Sequence, residues 1–325
     1  MTAPGRSLPR WAYEILMSPQ TRSPLTEQQG RLIAPDGEVA GTVVEGIACF
    51  PIPTPDRSIE FYRDVGGARF HERAAAPYSM SALDTEVYQG YLAELRCDNL
   101  DALILDIGGG DGRNAVPWLR WGFRRVVVVD PVRAALARLR ARLGVDNPDW
   151  LDRVLLIEAD ARQLPLRGCC AKRVLAIEAL AYLNEDYERG FAECIRLMAE
   201  GGRLLVADRD YEGGLLTRLF YGGGIAGMLE QAGSRDIWDG NDRSIVRSRS
   251  FTAEEFAAMM RDHGLRILSH TGISVLSLIL GYERANGRLA AEDEAHLTRA
   301  RALLGELGRT GRMRRSHVII AERSS

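Results

Sequence analysis

The stretch Ala102 to Arg120, ALILDIGGGDGRNAVPWLR, decides the fold. Apolar residues rise into Asp106, Gly108, Gly110 and Gly112 follow at alternate positions, and Asn114 opens a helical run through Trp118 and Leu119. This is strand, glycine turn, helix. Only glycine leaves room for a ligand to lie against the backbone while the chain takes positive φ, so the spacing points to a nucleotide-like molecule over the turn. The pattern D-x-G-x-G-x-G differs from the dinucleotide fingerprint G-x-G-x-x-G, which seats a pyrophosphate. Here an acid comes first, and an acid at a strand's end suits a cationic, hydrogen-donating group.

The β-branched run Arg125 to Asp130, RVVVVD, ends in an acid about twenty residues past the turn, where a carboxylate meets ribose hydroxyls in nucleotide-binding βαβ units. Asp130 is the candidate ribose contact, with Pro131 beside it; an acid that caps the helix starting near Pro131 is the plainer alternative. Arg153 to Asp160, RVLLIEAD, is the next strand. The glycine stretch resembles motif I of the class I S-adenosylmethionine-dependent methyltransferases, whose pattern is met at Asp106, Gly108, Gly110 and Gly112. The resemblance implies an α/β, Rossmann-like fold with a seven-stranded, mostly parallel sheet and helices on both faces. It implies S-adenosylmethionine as methyl donor and S-adenosylhomocysteine as product. Asp160 and Ala161 fall at the family position that holds the adenine amine; a turn aspartate is the alternative for Asp160.

A chain of 325 residues can bury a large core. Its net charge of −2 gives no global reason to expect nucleic acid or an anionic membrane as partner. No stretch has the roughly eighteen uninterrupted apolar residues of a membrane helix, and no signal-peptide core opens the sequence, so a cytoplasmic protein is expected. Five cysteines without a C-x-x-C pair argue against a disulfide framework and a zinc finger.

Residues 1–56 read as a small β-rich module, ahead of a methyltransferase domain over 57–325. The module resembles the zinc ribbon of small methyltransferase activators and of some rRNA guanine methyltransferases. Ser18 and Thr21 stand at the cysteine positions of its C-P-x-C knuckle, and Glu45-Gly46-Ile47 keeps its later turn. Without thiolates a tetrahedral zinc is not held, so a metal-free relic is expected, serving packing, a lid or a protein partner. Between two helix-like stretches, Ser58 to Arg63 and Asp84 to Leu95, lies a segment with Tyr78; Tyr62 and Tyr78 are candidate aromatics over a sulfonium. Core tyrosines are the alternative reading.

The alternation continues with Lys172 to Leu180, leaving Glu178 at a strand's carboxyl end, where ligands bind in open α/β sheets. Glu178 is a candidate for the reaction centre or for the methionine amine. Gly201 to Asp208 follows and delivers Asp208, Asp210 and Glu212, interleaved with Arg209 and Tyr211, to the same rim. Asp208 and Asp210 are candidate catalytic and substrate-binding acids, with Tyr211 and Glu212 as further substrate contacts. Residues 211–250, glycine-rich and polar, read as a long substrate lid. Thr252 with Glu255 forms a capping box, Arg266 to Ile273 and His317 to Glu322 are the last strands, and an insertion over about 274–315 carries Arg309, Arg312, Arg314 and Arg315. That cluster suits either a phosphate or a solvated helix end.

An acid-lined rim predicts a polar, cationic small molecule as methyl acceptor. The most specific expectation is N-methylation of an amino sugar or aminoglycoside in antibiotic biosynthesis. An rRNA or tRNA base methyltransferase is the second reading, and O- or C-methylation of another natural product a third. His71 and His263 are placeable near the rim only by analogy.

Overall fold

The computed structural model describes residues 7–52, 57–62, 80–221, 223–241, 244–277, 280, 294–311 and 313–323. It opens with four short antiparallel strands, β1 (Thr26–Gln28), β2 (Arg31–Ile33), β3 (Val39–Val44) and β4 (Ile47–Cys49). Helices α1 (Arg57–Phe61) and α2 (Met80–Glu94) lead to β5 (Leu103–Ile107), the glycine turn and α3 (Ala115–Arg120). Then come β6 (Arg125–Asp130), α4 (Arg133–Asp146), β7 (Val154–Glu158), β8 (Ala171–Ile177), α5 (Tyr187–Leu197) and β9 (Met198–Asp210). Beyond β9 lie α6 (Tyr211–Tyr221), α7 (Gly224–Ala232), β10 (Asp236–Asn241), β11 (Ser244–Phe251), α8 (Ala253–Asp262), β12 (Leu265–Ser274), α9 (Glu294–Arg309) and β13 (Arg314–Arg323).

Strands β7, β6, β5, β8 and β9 lie side by side and parallel, and β13 enters antiparallel between β9 and β12. All five residues of β5 are buried. Such near-continuous apolar runs are what a strand covered by helices on both faces requires. Two apolar layers result. One joins Leu105, Val127 and Val206 to Tyr187 and Phe191 of α5; the other joins Ile104, Val128 and Leu205 to Tyr88 and Leu92 of α2 and Leu139 of α4.

The expected seven strands are the centre of a 13-stranded sheet, and the count is corrected accordingly. An open edge leaves rows of backbone donors and acceptors unpaired. Here β4 pairs in parallel with β7, Ile47 opposite Leu156, so the N-terminal strands continue the sheet. Leu8, Ala12, Ile15, Leu16, Leu25 and Leu32 join the same core as β5 and α5. Arg22 adds bonds to the Leu164 carbonyl at 2.7 Å and to Glu193 at 3.1 Å.

The described residues of 211–250 are helices and a hairpin where the sequence suggested a loop. Their glycines serve close packing: a Cβ on Gly213 would stand 1.9 Å from the Arg314 carbonyl oxygen, and one on Gly214 2.6 Å from Ile237. Ser250 and Phe251 of β11 pair with Arg209 and Asp210 at the end of β9, which sets the insertion at the sheet's carboxyl rim. The capping box forms as read: the Thr252 hydroxyl accepts from the Glu255 N–H, and the Glu255 carboxylate from the Thr252 N–H. Among the described residues no helix is long and apolar enough to cross a membrane.

Candidate functional site

The glycine turn is pinned to β6 by the Gly108 and Gly109 N–H groups, which donate to the Val129 carbonyl at 2.8 and 3.2 Å. Gly108, Gly110 and Gly112 all take positive φ, +70°, +52° and +83°. A Cβ on Gly108 would lie 2.3 Å from that of Ala179, so the turns after β5 and β8 touch. Strand order reverses between these strands, where open α/β sheets bind ligands. A Cβ on Gly112 would strike Leu139 at 2.5 Å. Gly110 differs, because the nearest atom to its Cβ position is Asp130 Oδ2 at 3.8 Å. The space above it is open.

Asp130 accepts from the Gly110 N–H at 2.9 Å and the Val132 N–H at 2.8 Å. It thus ties the residues leading into α4 to the glycine turn, accepting from an N–H two residues on and not capping the helix, and it lies beside Gly110. Burial pushes its carboxyl up to about 6, against those two donors. Asp106 is 1% exposed, and its oxygens make no hydrogen bond of ordinary geometry; the Asn114 side chain beside it is the one polar group that favours its charged form by hydrogen bonding. Burial pushes it up to about 7, with the Arg113 charge opposing. A buried carboxylate so thinly supplied with donors is costly, so the site fits a cationic donor brought by a ligand. Asp160 already has a partner: both oxygens take the Arg162 guanidinium, which reaches on to Asp186. Ala161 is half-buried beside it.

The acids of the rim are not the open patch that was expected. Glu178, at φ +51°, accepts from Ser316 at 2.9 Å and Arg209 at 3.3 Å, and lies 3.2 Å from Arg315 Nη2. Burial disfavours its charge, but Arg315, Arg209 and Arg113 outweigh that and hold the carboxyl far below the usual carboxylate range. A group held ionised by three arginines is a weak proton acceptor. Side chains alternate along a strand, so Asp208 and Asp210 turn to the face opposite Arg209. Asp208 is fully buried, accepting from Tyr187 at 2.8 Å and the Ala181 N–H at 3.2 Å, and burial pushes it up to about 7. Asp210 accepts from the Gly213 N–H at 2.7 Å and lies 3.1 Å from His317 Nε2 and 3.4 Å from Arg314 Nε. Neither is placed to receive a substrate cation, which corrects both assignments.

Tyr211 donates to the Ala232 carbonyl at 3.0 Å beneath Arg235, while Glu212 is exposed. The arginine cluster also dissolves. Arg314 and Arg315 are paired to Asp210, Asp84 and Glu178, Arg309 is exposed on α9, and Arg312 lies outside the described residues. Tyr78 and His71 also lie outside them. His263 Nδ1 sits 2.9 Å from the Met259 carbonyl, with its ring edge-on to Phe191 in the opposite layer. Tyr62 packs beside Val132 and Ala135 and donates to the Tyr182 hydroxyl at 2.7 Å, which also receives Arg209 at 3.3 Å. It spans from the ribose side to the rim.

Four residues of the rim escaped the sequence reading: Asp84, Tyr88, Arg209 as an ion-pair partner, and Arg315. Asp84 and Tyr88 are four apart, hence on one face of α2, and that spacing was the available signal. Nothing local marks Arg315, which pairs with Asp84 at 2.5 Å across 231 residues. In the N-terminal knuckle, Ser18 Oγ accepts from the Thr21 N–H at 3.2 Å and lies 3.5 Å from Glu38. Among the described residues no three His, Cys, Asp or Glu side chains are grouped to hold a metal.

Residues 104–202 match the family model described as a methyltransferase domain. No curated protein is similar in sequence. In fold, the chain is similar to magnesium protoporphyrin IX methyltransferase of Synechocystis PCC 6803 with bound SAH, with TM-score 0.54, 15% identity and coverage of 83% of this chain and 100% of that one. It is also similar to a chain from the complex of the Haloferax volcanii Trm112 methyltransferase activator and its putative methyltransferase (0.53, 20%, 83% and 98%). A putative S-adenosylmethionine-dependent methyltransferase of Listeria monocytogenes matches at 0.53, with 13% identity over 75% and 100% of the two chains. The architecture is that of the class I methyltransferases.

Proposed function

We propose that this chain is a methyltransferase that uses S-adenosylmethionine to methylate a small molecule. The observation that carries the reading is Asp106, a fully buried carboxylate with no ion pair and no hydrogen bond of ordinary geometry, at the foot of a glycine turn with a single atom within 4 Å of the Gly110 Cβ position. Asp106 would receive the ammonium of the methionine end, and Asp130 the ribose hydroxyls with its remaining lone pairs. Asp160 and Ala161 bound the adenine end, with the Asp160 carboxylate shared with Arg162. The family match over the glycine turn and the following strands supports this assignment.

The cofactor supplies a methyl group already activated on a sulfonium, so the protein's task is alignment more than proton transfer. Tyr62 and Tyr182, edge-on to each other at 5.4 Å, order the rim between the ribose side and Arg209. Glu178 holds Arg209 and Arg315 in place and stays ionised. Among the described residues of the rim no unpaired base is placed to take a proton, so the acceptor arrives as its own nucleophile: a phenolate, a carboxylate or a neutral amine.

N-methylation of an amino sugar in an antibiotic pathway rested on Asp208 and Asp210 facing the substrate. Both have internal partners, so a neutral or anionic acceptor suits the rim better than a cation. The nucleic-acid reading loses Arg314 and Arg315, which are committed to acids. α6, α7 and the β10–β11 hairpin stand at the rim as the enclosure of the acceptor. The N-terminal module, with β4 on the edge of β7, serves this chain's own sheet.

Calorimetric titration with S-adenosylhomocysteine tests the reading. The expected result is saturable one-to-one binding that Asp106→Asn weakens and Gly110→Val abolishes. Absence of binding by the wild-type protein would turn the glycine turn into scaffold.

A further inference from the structure

The insertion over 211–250 leaves the sheet at Asp210 and comes back at Ser250 and Phe251, which lie in register beside Arg209 and Asp210. Its two stems therefore meet at one point, and one side chain from another strand reaches both. His317 of β13, 0% exposed, has Nε2 2.9 Å from the Phe251 carbonyl oxygen of the returning stem and 3.1 Å from Asp210 Oδ2 of the departing one. The other Asp210 oxygen accepts from the Gly213 N–H at 2.7 Å, in the first turn of α6. A single imidazole nitrogen is thus connected to β11 directly and to the start of α6 through one carboxylate.

These partners fix where the ring hydrogens sit. A carbonyl oxygen only accepts, so His317 Nε2 carries the hydrogen, and in the neutral ring Nδ1 carries the lone pair. His270 Nε2 faces that lone pair at 3.2 Å and is the donor to it. Phe256 of α8 stacks on the His317 ring at 5.2 Å and meets the Phe251 ring at the same distance, so packing holds the junction as well. Among the described residues, the titratable and charged groups around the two rings are Asp208 and Asp210 of β9, Arg249 of β11, Glu255 of α8 and Arg314 of β13 itself. Burial pushes both imidazoles down to about 4, with Arg314 adding to it and the Phe251 carbonyl opposing it at His317.

We infer that His317, held in this tautomer by His270, is a positioning residue that fixes both stems of the insertion to β13, and with them the wall around the methyl acceptor. The inference rests on the reading of α6, α7 and the β10–β11 hairpin as the acceptor's enclosure. Methyl transfer depends on alignment, and a displaced wall misplaces the acceptor. Without the Nε2 hydrogen the returning stem loses this tie to β13, and local opening of the insertion becomes easier.

The test is hydrogen exchange read by mass spectrometry on the full chain without ligand, comparing wild type, His317→Phe and His317→Gln. The phenylalanine keeps a ring and removes the donor, whereas the glutamine brings an amide N–H toward the same two oxygens. Loss of one such junction corresponds to about tenfold in local opening. Residues 211–221 and 244–251 are expected to exchange about tenfold faster in His317→Phe, with β5 and β6 unchanged and His317→Gln close to wild type. Equal acceleration over the whole sheet, or a glutamine variant as fast as the phenylalanine one, overturns the inference, because His317 is then core packing alone.

Wild type at falling pH answers the same question if the phenylalanine variant fails to fold. A released imidazole titrates near 6.5, and these two titrate near 4 in place. The tie is therefore complete above about pH 6.5 and is lost on the way down to about 4. Opening of the insertion, corrected for the intrinsic pH dependence of exchange, should rise over that interval by up to about tenfold per unit for each imidazole released, ahead of β5 and β6; a flat profile overturns the inference. If the wild-type protein binds no adenosyl compound at all, it is the methyltransferase reading that fails, whatever the exchange shows.

Discussion

Gly110→Ala separates a turn that merely reverses the chain from one that carries a ligand. At Gly110 the backbone sits at φ +52°, and an added methyl has its nearest neighbour, Asp130 Oδ2, at 3.8 Å, an ordinary contact. The structural penalty is then the left-handed conformation alone, about 1–2 kcal/mol. For a chain of this size that lowers Tm by a few degrees, roughly 2–4 °C per kcal/mol. Gly112→Ala is the control. It adds to the same backbone term a Cβ at 2.5 Å from Leu139. Overpacking of that kind costs about 1–3 kcal/mol, so its total destabilisation is about 2–5 kcal/mol. If a cofactor lies over the turn, the methyl on Gly110 occupies the cofactor's space, and S-adenosylhomocysteine affinity falls by tenfold or more, about 1.4 kcal/mol at least. Thermal melts and calorimetry on the two variants give both numbers. A Gly110→Ala protein that melts slightly early yet binds S-adenosylhomocysteine like the wild type would refute the placement of the cofactor.

The Asp106 carboxyl, pushed up to about 7 by burial, must be ionised to hold an ammonium. S-adenosylhomocysteine affinity should therefore be level above about pH 7 and fall by up to about tenfold per unit below it, and calorimetry across pH should show Asp106→Asn flattening the profile. The same raised carboxyl has the opposite sign for the unliganded fold: its stability declines as pH climbs from about 4, the unfolded value, to about 7, a trend that urea melts of wild type and Asp106→Asn compare directly. Tyr88→Phe removes a buried hydroxyl without a partner, whose burial costs about 1–3 kcal/mol, so the variant should melt no earlier than the wild type. Leu16 is fully buried beneath the N-terminal strands, in the same core as β5. Leu16→Ala should cost about 2–5 kcal/mol of global stability in a single transition, whereas a separate first transition would show that residues 1–56 fold alone.

The glycine turn and its acids were legible because they are local. Asp106, the three glycines and Asp130 lie within 25 residues of one another, and a strand followed by a glycine turn has few ways to fold. The acceptor half was not legible. Asp208, Asp210 and Glu178 read as an open acidic rim because a sequence shows charges without their partners. Asp208 is taken by Tyr187 and the Ala181 N–H, and Asp210 and Glu178 by Arg314, Arg315 and Ser316 of β13, more than one hundred residues further along the chain. The glycines of 211–250 misled for a related reason: Gly213 and Gly214 look like loop punctuation, but they are small because β13 and Ile237 press against them.

The sequence by itself determined the parallel α/β centre, the glycine turn and the position of Asp106 and Asp130, because strand periodicity and positive φ are properties of neighbouring residues. Tertiary structure alone decided which carboxylate is left without an ion-pair contact and which is neutralised. The Coulomb and desolvation energies that set a carboxyl's charge depend on distances of a few ångströms in space, and chain order does not encode these until the strands have paired.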